Sequence, residues 1–276
     1  MWAEKISQNL EFKIPTNKLV INSRRDEVQH TYLEPLFTWA SSVRKYAFGT
    51  EFGKTLLFAA PLQLVETPSD EPASFIDPNR VVELYASGYE RLGVAFDAAI
   101  LADLAQVGYD CEDITAQPLE IGLGDHVQLP HNRVPVALSL KERDLPGITR
   151  QHEMSMGMYR ALALIIHINY IVMSKQSACI FVDDIGEGLD FERATLLIKL
   201  LTKKCKNTSI QIIMSTNDRF IMNEVDLEYW HIVYRNSNKV KILDYDNSKK
   251  QFDRFKFLGL SNFDFFSRSA YLETKS

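Results

Sequence analysis

At 276 residues, 46% apolar and 11% aromatic, the chain has enough hydrophobic side chains for one large globular body or two small ones, which argues against disorder. Its formal net charge of -5 excludes coating nucleic acid by bulk positive charge and leaves a local basic patch as the electrostatic route to DNA. Cys111, Cys179 and Cys205 show no C-x-x-C spacing, so neither a zinc site nor a disulfide framework is expected; with no basic-then-apolar leader, the predicted compartment is the reducing cytoplasm.

Leu10, Phe12, Ile14 and the run Leu19, Val20, Ile21 predict a buried strand ending near Asn22. From Glu27 to Tyr46, apolar residues at Tyr32, Leu33, Leu36, Phe37, Trp39, Ala40 and Val43 predict an amphipathic helix with Pro35 near its start, where proline is tolerated. Phe48 to Thr55 reads FGTEFGKT and ends like a phosphate-binding P-loop, but Gly49 and Gly53 enclose three residues where that loop needs four, and a helix rather than a strand is predicted before it. It is read as a turn.

Residues 66–80, rich in Pro, Ser and Asp, form a loop, and Val81 to Val107 is helical text that Gly88 and Gly93 set against one unbroken helix. Short extended runs fill Ile114 to Leu145, with His126–Leu129 and Val134–Leu140 forming a hairpin across PHNR. The apolar run Ala161 to Met173, interrupted by His167 and Asn169, falls short of the ~20 residues that span a bilayer and predicts a buried helix. Cys179 to Val182 is a strand, Phe191 to Lys204 an amphipathic helix, and Ile210 to Met214 a strand buried on both faces; strand, helix, strand marks an α/β fold. WHIVY and KVKIL flank RNSN and predict a hairpin within Asp226 to Leu243, and the aromatic tail from Lys249 is expected to dock.

Chemistry concentrates between residues 153 and 190. Ser155 and Gly157 form a small-residue turn that opens the apolar helix, and backbone N–H groups at a helix N-terminus suit an anion. Asp183 falls at the C-terminal end of a buried strand, where open α/β sheets present ligand-binding groups, and Asp184 stands beside it to orient water. Taken singly, an Asp-Asp pair is more often a helix cap or a surface feature. The order of EMSMGMYRAL, IFVDDIGEGLD and IIMSTND, however, resembles the catalytic C-terminal half of an ABC-type ATPase of the SMC/RecF and OLD-like branch.

That resemblance implies an ABC-ATPase-like mixed sheet flanked by helices with a helical signature subdomain, and binding of ATP and Mg²⁺. Ser155 and Gly157 match the signature residues that meet the γ-phosphate held by the opposite protomer; Arg160 matches the arginine that follows, with a structural role equally open. Asp183 matches the metal-binding Walker B aspartate, Gly188, Leu189 and Asp190 the D-loop, and Ser215 and Thr216 the family's small hydroxyl residues, which makes Asp190, Ser215 and Thr216 expected nucleotide-binding residues; Glu187 is expected at the surface. Three departures stand out. Asp184 is one methylene shorter than the usual glutamate, Asn217 replaces the switch histidine, and no Walker A loop is found. His30, His126, His131, His152, His167 and His231 are read as structural or surface residues.

The implied organisation is a strand/helix part of the ATPase-like domain over 1–65, a helical insertion or lid over 66–125, an ATPase-like core over 126–247 and a C-terminal docking tail over 248–276. The implied activity is ATP hydrolysis through nucleotide-dependent dimerisation, with the P-loop supplied by sequence outside this chain or by another chain, in DNA repair or in defence against phage and plasmids. The alternative is a non-hydrolysing scaffold that restrains a nuclease or toxin. A DNA-gripping role has only Lys203, Lys204 and Lys206, read as a solvated helix end. No membrane partner is expected.

Overall fold

The computed structural model describes residues 2–11, 16, 25–47, 54, 58–61, 77, 79–119 and 133–269. Near the N-terminus the short strands β1 (Trp2–Ala3) and β2 (Gln8–Asn9) pair antiparallel. The strand predicted to end near Asn22 and the hairpin arm at His126–Leu129 lie outside the described residues.

The helix predicted over Glu27 to Tyr46 is shorter than its apolar pattern. A 3₁₀ turn at Thr31–Leu33 leads into α1 (Glu34–Ser41), which buries none of its residues, and Val43–Ala47 is a strand, β3. Pro35 lies in the first turn of α1, where the helix has no partner for its missing N–H. The strand wins after Ser42 because β3 pairs in parallel with β8 (Ala178–Asp183), Val43 facing Cys179 and Ala47 facing Asp183. On its other side β8 pairs in parallel with β9 (Ile210–Met214). In β9, Gln211 and Ile213 are exposed, so this strand is covered on one face rather than two.

Among the described residues a second sheet is antiparallel: β4 (Phe58–Pro61) and β5 (Cys111–Pro118) flank β6 (Arg133–Glu142), which also pairs with β7 (Thr149–Arg150). The helical stretch is two helices, α2 (Val81–Leu92) and α3 (Val94–Gln106), broken at Gly93, whose φ of 62° lies in the left-handed region.

At the centre runs α4 (Met156–Met173), which buries every residue from Gly157 to Ile171. It is long and apolar enough to cross a membrane by composition alone, but here it is the core helix, packed by α2, α3 and α5 (Phe191–Cys205). The two polar interruptions of its sequence are both buried. His167 Nδ1 lies 2.8 Å from the Ala163 carbonyl, and its ring meets Tyr46 edge-to-face. Asn169 donates to the Ile165 carbonyl and to Asp103 of α3, and accepts from Lys204 of α5 at 2.7 Å; Lys204 also pairs with Asp103 at 2.6 Å. Lys204 is therefore not part of a solvated helix end. It is the charge partner of a carboxylate only 3% exposed, and it ties three helices together.

Beyond β9 come α6 (Arg219–Glu224), the predicted hairpin as β10 (His231–Asn236) and β11 (Lys239–Asp244), and the helices α7 (Tyr245–Lys256) and α8 (Asn262–Ser267). Leu227, Ile232, Phe252, Phe255 and Phe265 form a small core of their own, joining residues on both sides of position 247.

Candidate functional site

The C-terminal ends of the parallel strands β8 and β9 carry one cluster. Asp183 closes β8, and Ser215 follows β9 at once. The Ser215 hydroxyl donates to Asp183 Oδ1 at 2.5 Å and accepts from the Asp184 amide at 2.9 Å. Its own amide donates to the Val182 carbonyl, and its carbonyl accepts from the Ile185 amide. Residue 215 thus engages four consecutive residues. Asp184 within that turn has a φ of 49°, a left-handed conformation that Asp and Asn tolerate better than longer side chains. Neither carboxylate serves as a helix cap in the structure, while Asp183 is exposed and Asp184 half-buried, so of the bland readings the cap falls away and the surface position stands.

A second cluster joins the helix-opening turn to the loop after β8. Ser155 caps α4, its hydroxyl accepting from the Met158 amide at 3.1 Å. Two residues on, Gly157 lies so close to the loop that a Cβ there would sit 2.1 Å from the Gly188 carbonyl oxygen. Gly188 has a φ of 79°, so both glycines are required, one for approach and one for conformation. Arg160 is buried and donates to the Glu187 carbonyl at 2.8 Å. Burial pulls its guanidinium below its ordinary pKa, with Glu187 and Asp184 opposing. Glu187 itself is exposed, as expected.

Asp190 ends this loop as the N-cap of α5. It accepts from the Arg193 amide at 2.9 Å and pairs with the Arg193 guanidinium at 2.7 Å. The Arg193 amide chiefly holds its carboxyl below the usual range. Thr216 Oγ1 accepts from the Asp218 amide, and Asn217 is exposed between them. The two clusters are parts of one loop, closed by the Glu187 amide on the Asp184 carbonyl at 3.0 Å.

The strand β3 and not a helix precedes the Gly-Lys-Thr stretch, so of the two grounds against a P-loop only the three-residue glycine spacing stands; of that stretch Lys54 lies within the described residues, in a turn. Its ammonium donates to the Met154 carbonyl at 2.5 Å, and its carbonyl accepts from buried Gln151 at 2.7 Å. The lysine therefore stands against the turn before α4. Of the histidines, His30 and His167 are buried and His152 and His231 are exposed; His126 and His131 lie outside the described residues.

Among the described residues no three His, Cys, Asp or Glu side chains gather into a metal cage. The acid pair offers oxygen donors alone. That set fits Mg²⁺, which keeps several waters and takes one or two carboxylates together with substrate phosphates.

Sequence reasoning missed the polar trio of Asp103, Asn169 and Lys204, although an asparagine inside an apolar run was itself the signal that a buried partner exists. It also missed the two-way role of the Ser215 hydroxyl, for which the sequence carries no signal.

A family model described as "AAA domain, putative AbiEii toxin, Type IV TA system" matches residues 6–223, reaching far upstream of the motifs that carry the resemblance. No curated protein matches the chain. Among solved structures, one from work on ATP-driven dimerisation and DNA-stimulated activation of SMC ATPases aligns at 17% identity over 61% of this chain and 95% of that one, with a TM-score of 0.39. The SMC head of Pyrococcus furiosus bound to the C-terminal domain of ScpA aligns at 16% identity over 61% of this chain and 39% of that one, with a TM-score of 0.39. An SMC head bound to the C-terminal winged-helix domain of ScpA aligns at 17% identity over 59% and 48%, with a TM-score of 0.40.

Proposed function

Since the chain belongs to this AAA-domain family, we propose that it forms one side of a composite nucleotide site, in which ATP binding drives association with a P-loop-bearing partner or second copy and hydrolysis releases it. The observation that carries this reading is the continuity of the loop from Asp183 to Asp190, whose start holds the acid pair and whose far end is clasped to the helix-opening turn through Gly157 and Gly188.

Asp183 is the residue that would hold Mg²⁺, with one carboxylate oxygen fixed by Ser215 and the other available to a metal-bound water; the ion supplies charge neutralisation at the transferred phosphate. Asp184 orients the attacking water, and Asn217, exposed and next in sequence after Ser215 and Thr216, donates to a phosphate oxygen. Ser155 and Gly157 present the N-terminus of α4 to the terminal phosphate of the partner's nucleotide, and Arg160 holds the loop carbonyl of Glu187 so that both surfaces move together. The family's toxin–antitoxin description supports a role in defence against phage or plasmids over one in DNA repair.

The test is Mg²⁺-dependent ATP turnover by the tagged chain in the complex isolated from its source cells. Asp183→Ala should lower kcat by about 100-fold, equivalent to ~2.7 kcal/mol of barrier. Equal turnover in the variant overturns the assignment. A second reading, a non-hydrolysing scaffold that restrains an effector, draws on the positive φ of the short Asp184 and on Asn217. It predicts effector binding that is unchanged when ATP is removed.

A further inference from the structure

The hydroxyl of Ser215 has one proton, and the geometry shows where it goes. It is donated to Asp183 Oδ1 at 2.5 Å, while the oxygen's lone pair takes the Asp184 amide at 2.9 Å. A hydroxyl committed in both directions cannot also donate to a nucleotide phosphate. The main chain of the same residue anchors Val182 and Ile185, so the whole turn is registered on β9 and not merely on the strand that carries it. Asp183 is exposed, and among the described residues Ser215 is the side chain that restrains it by a hydrogen bond.

Resting on the reading of Asp183 as the metal-side carboxylate, we propose that Ser215 is a positioning residue: it fixes the rotamer of Asp183 and the left-handed turn at Asp184 so that one carboxylate oxygen is presented to a hydrated divalent cation. Its hydroxyl acts through the carboxylate and touches neither nucleotide nor metal. The arrangement explains why a short polar residue stands where β9 ends. Alanine keeps the main-chain anchors but frees the carboxylate, whereas threonine keeps the hydroxyl.

Groups that orient a metal ligand characteristically cost about 10- to 100-fold in metal affinity when removed. The experiment is Mn²⁺ titration, followed by electron paramagnetic resonance, of the tagged complex with ATP present. Hydrogen exchange of the peptide spanning 182–186 is measured in parallel on the metal-free protein. Ser215→Ala and the isosteric Ser215→Cys, a weak donor, should each bind Mn²⁺ at least about 10-fold more weakly and exchange faster in that peptide. Ser215→Thr should match the wild type in both. Wild-type Mn²⁺ affinity in Ser215→Ala and Ser215→Cys, with affinity lost in Asp183→Ala, overturns the positioning role alone. Wild-type affinity in Asp183→Ala as well overturns the metal-side reading on which it rests.

Discussion

In a Gly157→Ala protein the new methyl group would lie 2.1 Å from the Gly188 carbonyl oxygen and 2.8 Å from its carbonyl carbon, where ordinary contact begins at 3.4 Å. Both atoms are main chain, so no rotamer change relieves the overlap. Either the loop retreats by about 1 Å or the start of α4 tilts away, and overpacking of this kind costs ~1–3 kcal/mol. The better helix propensity of alanine offsets up to about 1 kcal/mol, leaving a net loss of roughly 1–2 kcal/mol. Function should suffer more than stability, because a ~1 Å displacement of a positioning surface costs on the order of 100-fold in rate. Urea unfolding measures the first quantity and Mg²⁺-dependent ATP turnover of the isolated complex the second. Gly147→Ala is the matched control, since a Cβ there meets nothing within 4 Å. If Gly157→Ala is as stable and as active as Gly147→Ala, the clasp between turn and loop has no role.

The polar trio predicts an asymmetric double-mutant cycle. Asp103→Leu alone leaves the half-buried Lys204 with Asn169 as its partner and should cost about 1–3 kcal/mol in urea unfolding, while adding Lys204→Met should recover much of it; equal losses in single and double variants would show that the charges are not coupled. His167 predicts a pH dependence. Burial lowers its pKa to about 4, below the ordinary value of 6.5, so the unfolded chain takes up the proton first. The associated stability is complete above pH ~6.5 and is lost as pH falls toward ~4. Between pH 7 and pH 5 the wild type should lose about 2 kcal/mol more than His167→Leu, and parallel losses would show that His167 is not the titrating group.

What the sequence made legible was what depends on local pattern. The buried helix, the strand before Asp183, the helix after Asp190, the break at Gly93 and the RNSN hairpin all follow from periodicity, caps and turn residues. What it concealed depends on partners far along the chain. Val43–Ala47 reads as the end of a helix until Cys179–Asp183 is beside it, and nothing local reveals that pairing. Lys204 reads as one of a row of solvated lysines, yet Asp103, about a hundred positions away, withdraws it from solvent. Gln211 and Ile213 are exposed because of where β9 lies in the sheet, which composition does not encode.

Asp184 shows why a departure from a family pattern is not measured by side-chain length alone. Set in an extended backbone, an aspartate in place of glutamate simply falls short of its target. Here the residue is left-handed, a conformation in which a short polar side chain is favoured over a long one, and its amide is held by a hydroxyl that also holds the neighbouring carboxylate. Backbone conformation, residue type and hydrogen bond are therefore one structural choice made jointly by β8 and β9.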